Sequence, residues 1–432
     1  MPVSRLWLVF VCLITIGIDC SARELWVDKE SRGGACSDER PAAAVTQSTP
    51  WCSLSTAAFL VAPGDTVRVR GGVYNTPQDC THCDGRAVLQ LTRAGTPTQW
   101  IKFIAQPGES VILQGSATAL IGIRISEFDD IKPSYNEISG FRVRGFALDC
   151  ISYDAVPDIR LLNLEVTGCR RQAVVLRGAE RVILRGSRVY GNFTNGWSSA
   201  VDLFECLGGN VVAGNAIWNN ADSAPGFPDS EGHGIIMDHC LGTGVNIIEN
   251  NLIFHNEGWC ISVHRSMLAI IRNNTCFRNG MRAFDGGEIS IWGNWIFLFN
   301  NIASPLPGRL ALNIQLTKHG YTVNPASITE NNNLLDVEPT VGALGWGDEV
   351  VSFSQYQGTN GVGLSAGTIT ADPRFVDEFG INLRLRPGSP AIDAANRPWA
   401  PTTDFAGTPR PAGAGVDIGA FEFVPSFEPS VY

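Results

Sequence analysis

The chain has 432 residues, of which 44% are hydrophobic and 17% charged, and its formal net charge is −10 at pH 7. This acidic balance argues against nucleic acid as a partner, because nucleic-acid binding relies on a basic surface. A chain of this length is usually divided into two or three domains, unless it is a stack of repeats in which each unit contacts only its neighbours.

The N-terminus has the pattern of a secretory signal peptide, which we place at residues 1–22. Arg5 supplies the basic start, residues 6–18 the apolar core, and Cys20-Ser21-Ala22 a cleavage site of small residues. The apolar run is too short to cross a bilayer, and no other stretch is longer. We therefore expect a secreted or cell-surface protein without a membrane span. Acylation of Cys20 is the less favoured alternative, because Asp19 precedes it.

The cysteines fit an oxidising compartment. Of the 12 cysteines, Cys12 and Cys20 lie in the signal, which leaves ten, an even number. In residues 23–80 and just beyond them, two pairs of cysteines are each close in sequence, so we expect two local disulfide bridges. These are Cys36–Cys52 and Cys80–Cys83.

Residues 81–335 contain one short phrase that recurs in near-copies. Its final Asn residues are spaced 36, 23 and 27 residues apart. The four copies are Val211-Val212-Ala213-Gly214-Asn215, Ile247-Ile248-Glu249-Asn250-Asn251, Ile270-Ile271-Arg272-Asn273-Asn274 and Phe297-Leu298-Phe299-Asn300-Asn301. Weaker copies are Val182–Ser187 before them and Ile328–Asn332 after them. A repeat of this period indicates a stacked architecture.

The repeat predicts an all-β fold, a right-handed parallel β-helix. Each unit holds short strands of β-branched and aromatic residues separated by Gly and Asn, without a helical period. A turn that recurs in every coil stacks its Asn side chains, so that each amide can donate to the next. The hand follows from the general preference of parallel crossovers.

Alignment of the phrases also places Cys206 and Cys240 at the same position of adjacent coils. Strands of adjacent coils lie about 4.8 Å apart, a spacing that suits a disulfide, so we predict this bridge. The stretch 220–232, rich in turn-forming residues, accounts for the 36-residue spacing. We expect this inserted loop to wall a binding cleft.

The same alignment predicts two columns of polar side chains on the first strand of the coils. Strand alternation directs Ser262 and His264 outward, with Ile261 and Val263 in the core. One column then holds Asp238, His264 and Trp292, continued by Gln315 on one side and Arg177 on the other. The second column, at the strand end, holds Glu205, His239 and Arg265. A cleft along these columns is the default candidate site.

Both ends of the chain resemble known exported proteins. The segments Leu25–Asp28, Pro50–Leu54 and Ala62–Tyr74 resemble the opening of secreted β-helix proteins of the pectate-lyase-like superfamily. Residues 336–432, with Leu383–Asp393, Asp404–Gly407 and Val416–Glu422, resemble a C-terminal choice-of-anchor segment. The resemblance implies a helix near residues 55–62 that caps the first coil. It also implies an irregular C-terminal segment packed on the coils, but it does not indicate a reaction.

β-Elimination of a polyuronate is the leading hypothesis, because the two columns offer the residue types that this reaction needs and the pectate-lyase-like superfamily includes many uronate lyases. This reaction needs a base for the C5 proton, a cation that neutralises the uronate carboxylate, and an acid at the glycosidic oxygen. His264 would be the base, and His239 the acid. Arg265 or Arg177 would neutralise the carboxylate. Asp238 completes this centre.

Further residues have supporting roles in this hypothesis. Asp202, Glu205 and Asp238 could hold Ca²⁺ through their oxygen atoms. The ring of Trp292 suits a sugar face, and Lys318 is an alternative base or substrate contact.

His233 is an expected substrate-binding residue, and it also belongs to the alternative of a glycoside hydrolase. Gly232-His233-Gly234 matches one motif of the polygalacturonase-type hydrolases, whose other motifs are missing here. An epimerase is a further alternative, since Met237-Asp238-His239 partly matches the Asp-Pro-His of alginate epimerases. A non-catalytic, glycan-binding surface protein also remains open.

The expected partner is an acidic polysaccharide, and we expect a monomer. An arginine-rich stretch within this acidic chain could bind such a polymer, or could be a solvated outer face. The arginines are Arg160, Arg170, Arg171, Arg177, Arg181, Arg185 and Arg188.

Overall fold

The computed structural model describes residues 22–78, 83–194, 199–222, 231–281, 286–318, 320–359 and 365–425. Within these residues the chain winds into a stack of coils, each joined to the next by parallel strand pairing. The all-β parallel β-helix is therefore confirmed. The proposed signal peptide, Cys80 and most of the inserted loop lie outside the described residues.

Three walls of parallel strands run along the stack. The first wall contains Ala87–Gln90, Ile121–Ile125, Asp149–Asp154, Gln172–Arg177, Val201–Phe204, Ile235–Asp238, the first halves of Ile261–Arg272 and Gly287–Phe299, Leu310–Ile314 and Leu344–Trp346. The second wall contains Glu24–Val27, Thr66–Val69, Ile101–Ala105, Asn136–Ser139, Ile159–Leu162, Val182–Arg185, Val211–Ala213, Asn246–Glu249, the second halves of Ile261–Arg272 and Gly287–Phe299, and Ile328–Asn331. The third wall contains Gly72–Tyr74, Val111–Gln114, Arg142–Arg144, Glu165–Thr167, Arg188–Tyr190, Ala216–Trp218, Leu252–Phe254, Thr275–Phe277, Ile302–Ser304, Leu334–Leu335 and Ile369–Thr370.

Parallel pairing is already present within residues 23–80, where the sequence predicts the N-terminal cap and first coil, and it continues past residue 335 into the predicted irregular C-terminal segment. Glu24–Val27 already pairs with Thr66–Val69, and Ile369–Thr370 still pairs with Leu334–Leu335. Outside the walls there are short strand pairs and helices. They are Phe193–Thr194 with Ala221–Asp222, Thr317–Lys318 with Tyr321–Thr322, Phe375–Asp377 with Asn382–Leu385, strand Glu349–Val351, helices Leu54–Leu60 and Phe353–Thr359, and 3-10 turns Ala42–Ala44, Pro325–Ser327 and Arg397–Trp399.

Ladders of buried Asn side chains connect the coils, as the repeat predicts. The amide of Asn215 donates to Asn251, that of Asn251 to Asn274, and that of Asn274 to Asn301, with N···O distances of 2.9–3.0 Å. Asn301 then donates to Asn333 rather than to Asn332, the expected partner. A second ladder, which we did not predict, follows the same rule. Its members are Asn192, Asn220, Asn256, Asn279 and, at its end, Glu288.

Both ends of the stack are covered. The predicted capping helix is Leu54–Leu60, whose N-cap Ser53 accepts a hydrogen bond from the Thr56 N–H and whose Leu54 and Ala57 are buried. At the other end, the strand Glu349–Val351 pairs antiparallel with the last first-wall strand, and the helix Phe353–Thr359 buries Tyr356 beside it. Such caps protect the open edge strands and core of a solenoid.

The C-terminal segment, residues 372–425, packs on the outer face of the third wall. Apolar side chains of that wall form one cluster with side chains of the segment. The wall contributes Leu252, Phe254, Phe277, Ile302 and Leu334, and the segment contributes Phe375, Leu383, Leu385, Ala391, Ile418, Ala420 and Phe421. The segment is thus part of the folded body.

The disulfides Cys36–Cys52 and Cys206–Cys240 form as predicted, the second with a Cα–Cα distance of 4.4 Å. Two further bridges, which the spacing did not indicate, are Cys150–Cys169 and Cys260–Cys276. Among the described residues, none of the helices is long and apolar enough to cross a membrane.

Candidate active site

One outward column of the first wall has the predicted register. Phe204 pairs with Asp238, Asp238 with His264, and His264 with Trp292 in successive coils. Arg177 precedes Phe204 in the same column. Gln315 follows Trp292, since the Gln315 N–H donates to the carbonyl of Ile291. The parallel ladder therefore brings residues that are far apart in sequence within side-chain contact.

The second column lies at a corner of the coil. Glu205, His239 and Arg265 all have left-handed backbones, with φ values of 52°, 53° and 46°. Left-handed corners recur in this chain at many non-glycine positions outside the site, Asn250 and Asn273 among them. These corners are a feature of the fold, so their backbone conformation is no evidence of catalysis.

The carboxylate of Asp238 binds both neighbouring histidines. Its Oδ1 lies 2.6 Å from Nδ1 of His239 and 2.6 Å from Nδ1 of His264. Burial alone would raise the pKa of Asp238. The hydrogen bond and charge of His264, together with those of His239, lower the pKa by more than burial raises it. Its pKa is therefore below the ordinary value, and the group is ionised at neutral pH. An ionised carboxylate accepts only, so both rings carry their proton on Nδ1.

Two more carboxylates face the same cleft. Asp202 is 6% exposed, and its Oδ1 has no hydrogen-bond partner among the described residues. Burial and then the charges of Glu231 and Asp238 raise its pKa well above the ordinary value. Burial, followed by the charges of Asp238 and Asp222, raises the pKa of Glu231 to about 7.

Glu231 was missing from the predicted site. It is the last residue before Gly232-His233-Gly234, at the end of the inserted loop. Strand alternation could not place it, because it lies outside a strand. An acidic residue beside that tripeptide was the available signal.

His233 lines the cleft as a neutral ring. Its Nδ1 accepts a hydrogen bond from the Trp259 N–H at 2.8 Å, so its proton is on Nε2. Burial, with a smaller effect of the charge of His264, lowers its pKa to about 3. Gly258 permits this contact, since a Cβ there would lie 2.3 Å from the His233 Nδ1. His233 can therefore donate a hydrogen bond but does not titrate near neutral pH.

Asp238, His264, Asp202, Glu231 and His233 surround a cleft of about 480 Å³, whereas His239 is not among its lining residues. Arg177 supplies its cationic wall, with its Cζ 4.7 Å from the ring centre of Phe204. The lining residues are Gln172, Val175, Arg177, Asp202, Phe204, Glu231, His233, Ile236, Asp238, Ser262 and His264. A concave site with convergent charged groups is suited to a polar ligand.

Two predicted residues do not line the cleft as expected. The Glu205 side chain is 57% exposed and lies 4.0 Å from Arg177, so the corner directs it away from Asp202. Trp292 is only 4% exposed, because its ring packs between His264 and Tyr321 at centroid distances of 4.6 and 6.0 Å. It does not offer an open face to a sugar.

Arg265 and Lys318 also differ from the expectation. The guanidinium of Arg265 lies 5.0 Å from the ring centre of Trp292 and is not among the lining residues of the cleft. Lys318 contributes its backbone to the strand Thr317–Lys318, and its side chain lies outside the described part of the chain.

Asp202, Glu231 and Asp238 line one cleft, and carboxylate oxygens are the ligand type that Ca²⁺ takes. In the described part of the chain, however, their oxygen atoms do not all lie within 4.8 Å of one another, so these three groups do not form a Ca²⁺ site in this arrangement. Glu205, which the sequence predicts as a ligand beside Asp202 and Asp238, does not line the cleft either.

Comparisons with known proteins agree on the fold. Residues 110–304 match the family model described as a right handed beta helix region. Pectate lyase Pel9A is 16% identical, with 93% of this chain and 97% of that chain covered and a TM-score of 0.55. XylC in complex with xylose is 11% identical, with coverages of 93% and 98% and a TM-score of 0.52.

A third similar structure is the selenomethionine derivative of the GH136 lacto-N-biosidase from Eubacterium ramulus. It is 12% identical, with 81% of this chain and 67% of that chain covered and a TM-score of 0.50. No curated protein sequence matches the chain significantly. At these identities the likeness shows the fold alone, a right-handed parallel β-helix.

Proposed function

We propose that the protein is an exported polysaccharide lyase that cleaves a uronate-containing polymer by β-elimination, with His264 as the base. The Asp238–His264 pair carries this proposal, because the ring lines the cleft with its Nδ1 2.6 Å from the carboxylate. Since Asp238 holds the proton on Nδ1, the Nε2 lone pair is free to accept the C5 proton of a uronate.

Arg177 is suited to neutralise the uronate carboxylate. Neutralisation acidifies the C5 proton, which is otherwise too weakly acidic for an imidazole base. The guanidinium is more than half exposed and lies on the same wall as His264.

His239 is suited to protonate the leaving group. Once His264 takes the C5 proton, the electrons of that bond form the C4–C5 double bond and the C4–O bond breaks. The departing oxygen then needs a proton, which His239 in its imidazolium form can give from Nε2. Its Nδ1–H remains on Asp238, so the same carboxylate orients the base and the acid.

The test is incubation of the purified protein with pectate, alginate, hyaluronan and chondroitin while ultraviolet absorbance of the new double bond is recorded. We expect His264→Ala to lower turnover by about 10²–10⁴-fold with little change in melting temperature. His255→Ala is the matched control, since His255 lies at a third-wall corner outside the cleft. No absorbing product from any of these polymers would contradict the proposal.

Glycoside hydrolysis is the second candidate, favoured by the additional carboxylates Asp202 and Glu231 in the cleft. A hydrolase needs one carboxyl as acid and a second as base or nucleophile. It would give new reducing ends without ultraviolet absorbance. Glu231→Gln would then abolish activity, while His264→Ala would affect it less.

A further inference from the structure

Three potential metal ligands lie close together, and two of them, Asp238 and His264, line the cleft. A carboxylate oxygen of Asp238 and one ring nitrogen each of His239 and His264 lie within 4.8 Å of one another. The first two residues are adjacent in one coil, and the third pairs with Asp238 from the next coil. Strand pairing therefore sets the spacing of all three groups.

We propose that Asp238, His239 and His264 bind a divalent first-row transition cation of the Zn²⁺ class. Two imidazole nitrogens and one carboxylate oxygen suit such a cation, whereas Ca²⁺ takes oxygen ligands almost alone. Three protein ligands leave a coordination position open toward the cleft. Because two of its ligands are nitrogens, this site differs in chemistry from the Ca²⁺ site of Asp202, Glu205 and Asp238 expected from the sequence, although Asp238 belongs to both.

The three groups can reach coordination geometry by small side-chain movements. Metal–ligand bonds of about 2.0–2.1 Å in a tetrahedron place ligand atoms about 3.3 Å apart. Each Nδ1 now lies 2.6 Å from the Asp238 Oδ1, so each contact must open by about 0.7 Å. The His239 and His264 side chains are 38% and 34% exposed, so their rings have room to move outward.

The surroundings favour a cation at this position. The ring of Phe204 lies edge-on to His239 at 6.3 Å, and that of Trp292 edge-on to His264 at 4.6 Å. These apolar walls limit the access of water to the ligands. Asp202, more than nine-tenths buried with an unpartnered Oδ1, lies in the same cleft, where a nearby cation would favour its charged form.

Metal binding and base catalysis by His264 exclude one another. A cation on Nδ1 displaces the proton that Asp238 now accepts, and the remaining ring proton then resides on Nε2. The ring can no longer accept the C5 proton of a substrate there. This regulatory consequence rests on the proposed lyase function, whereas metal binding itself does not.

The binding test uses the whole exported protein, stripped with a chelator and titrated with Zn²⁺ against a chromophoric competitor. We expect one equivalent to bind, and His239→Ala and His264→Ala each to weaken binding by at least about 10-fold. His255→Ala should leave the Zn²⁺ affinity unchanged, because His255 lies at a left-handed corner outside the site. Absence of Zn²⁺ binding, or equal binding by all three variants, overturns the site.

Activity measurements separate the metal site from the proposed function. With an active lyase, saturating Zn²⁺ should abolish the ultraviolet product and removal of Zn²⁺ should restore it. Cleavage that is unaffected or stimulated by Zn²⁺ overturns the regulatory role. If Zn²⁺ binds as expected but no polymer is cleaved with or without it, the metal site stands and the lyase function fails.

Discussion

At the scale of single residues, the site depends on one oxygen atom. The Asp238 Oδ1 accepts the Nδ1–H of both His239 and His264. This arrangement fixes the protonated nitrogen of each ring and leaves each Nε2 for the substrate. The role of Asp238 is therefore to orient and polarise the two rings, as a positioning residue for base and acid.

Asp238→Asn tests this role directly. The amide is similar in size, but it is uncharged and offers an N–H that no longer enforces Nδ1 protonation. We expect turnover to fall by about 10²–10⁴-fold while substrate binding changes little. Steady-state kinetics should show the loss in kcat. If the variant instead has an unchanged kcat and a raised KM, Asp238 contacts the substrate rather than orienting the two histidines.

At the scale of structural elements, the two adjacent Asn residues of each repeat have different roles. The second residue of the pair, such as Asn251, is fully buried and extends the ladder. The first, such as Asn250, occupies the left-handed corner and faces outward, where its amide donates to the Thr403 carbonyl. Asn273 likewise donates to the carbonyls of Asp417 and Gly419. The doublets thus hold the coils together and attach the C-terminal segment.

The two members of a pair should differ in their contribution to stability. Asn251→Ala leaves the buried N–H of Asn215, its amide and the Val212 carbonyl without this partner, so we expect a loss of about 2–4 kcal/mol. Asn250→Gly keeps the left-handed backbone and loses mainly the bond to Thr403, at about 1 kcal/mol. Denaturant unfolding measures both, and similar losses would contradict this division.

The carboxyl of Glu288, which ends the second ladder, should make stability depend on pH. Burial raises its pKa to about 8 in the folded protein, from an ordinary value of 4.5. Between these values the unfolded state ionises while the folded state stays protonated, so stability is full below about pH 4.5 and falls as pH rises to about 8.

Glu288→Gln should remove this slope. At acidic pH the variant should be less stable by about 1–3 kcal/mol, because its amide N–H₂ faces the donor group of Asn279. The difference from the unmodified protein should shrink as pH rises toward 8. Unfolding free energies at pH 5, 6, 7 and 8 decide this, and parallel pH profiles would contradict it.

At the scale of the whole molecule, the C-terminal segment covers the apolar outer face of the third wall. It covers Phe254, Phe277 and Ile302, and its Arg410 forms a buried ion pair with Glu422 inside the segment. The outer Asn residues bind its backbone at several successive coils. Segment and coils should therefore unfold together.

Truncation after Ala371 tests this cooperativity. Five large apolar side chains of the third wall would return to water, at about 1.5–3 kcal/mol each. We expect a strong drop in melting temperature, or insolubility, with increased binding of a hydrophobic dye. Truncation after Pro425 is the matched control and should leave melting unchanged. A segment that serves only as an anchor would leave both truncations equally stable.

Much of this organisation could be predicted from the sequence, since a repeated turn sets the register of every strand that follows it. The alignment that places Cys206 opposite Cys240 also pairs Asp238 with His264. The last repeat was displaced by one residue, because Asn331 occupies the place of Phe299 and turns the pair into a run of three Asn residues. When a residue of the repeat is replaced, as in this last copy, the sequence alone does not define how that copy aligns with the others.

The remaining differences between the predicted and the observed site arise at positions where the inward–outward alternation of strand residues does not apply. Trp292 points outward as predicted, yet Tyr321 from a short hairpin covers it. Glu205 lies at a left-handed corner, where side-chain direction no longer follows the strand. Glu231 reaches the cleft from the end of a loop. Contacts made by loops and corners depend on tertiary structure, which a strand period does not encode.

The Asn ladders have a direction. In both of them every Asn amide donates to the side chain at the next level toward the C-terminal end of the stack, and each ladder stops at a buried glutamate, Glu288 in one and Glu330, through Asn333, in the other. A carboxyl has no amide N–H₂ to donate onward, so it can close such a series but cannot continue it. Coils can therefore be inserted between two Asn levels, where every donor still meets an acceptor. A ladder cannot extend past either glutamate, because the next Asn oxygen would lack its amide donor, so these residues terminate the ladders while the strand walls continue beyond them.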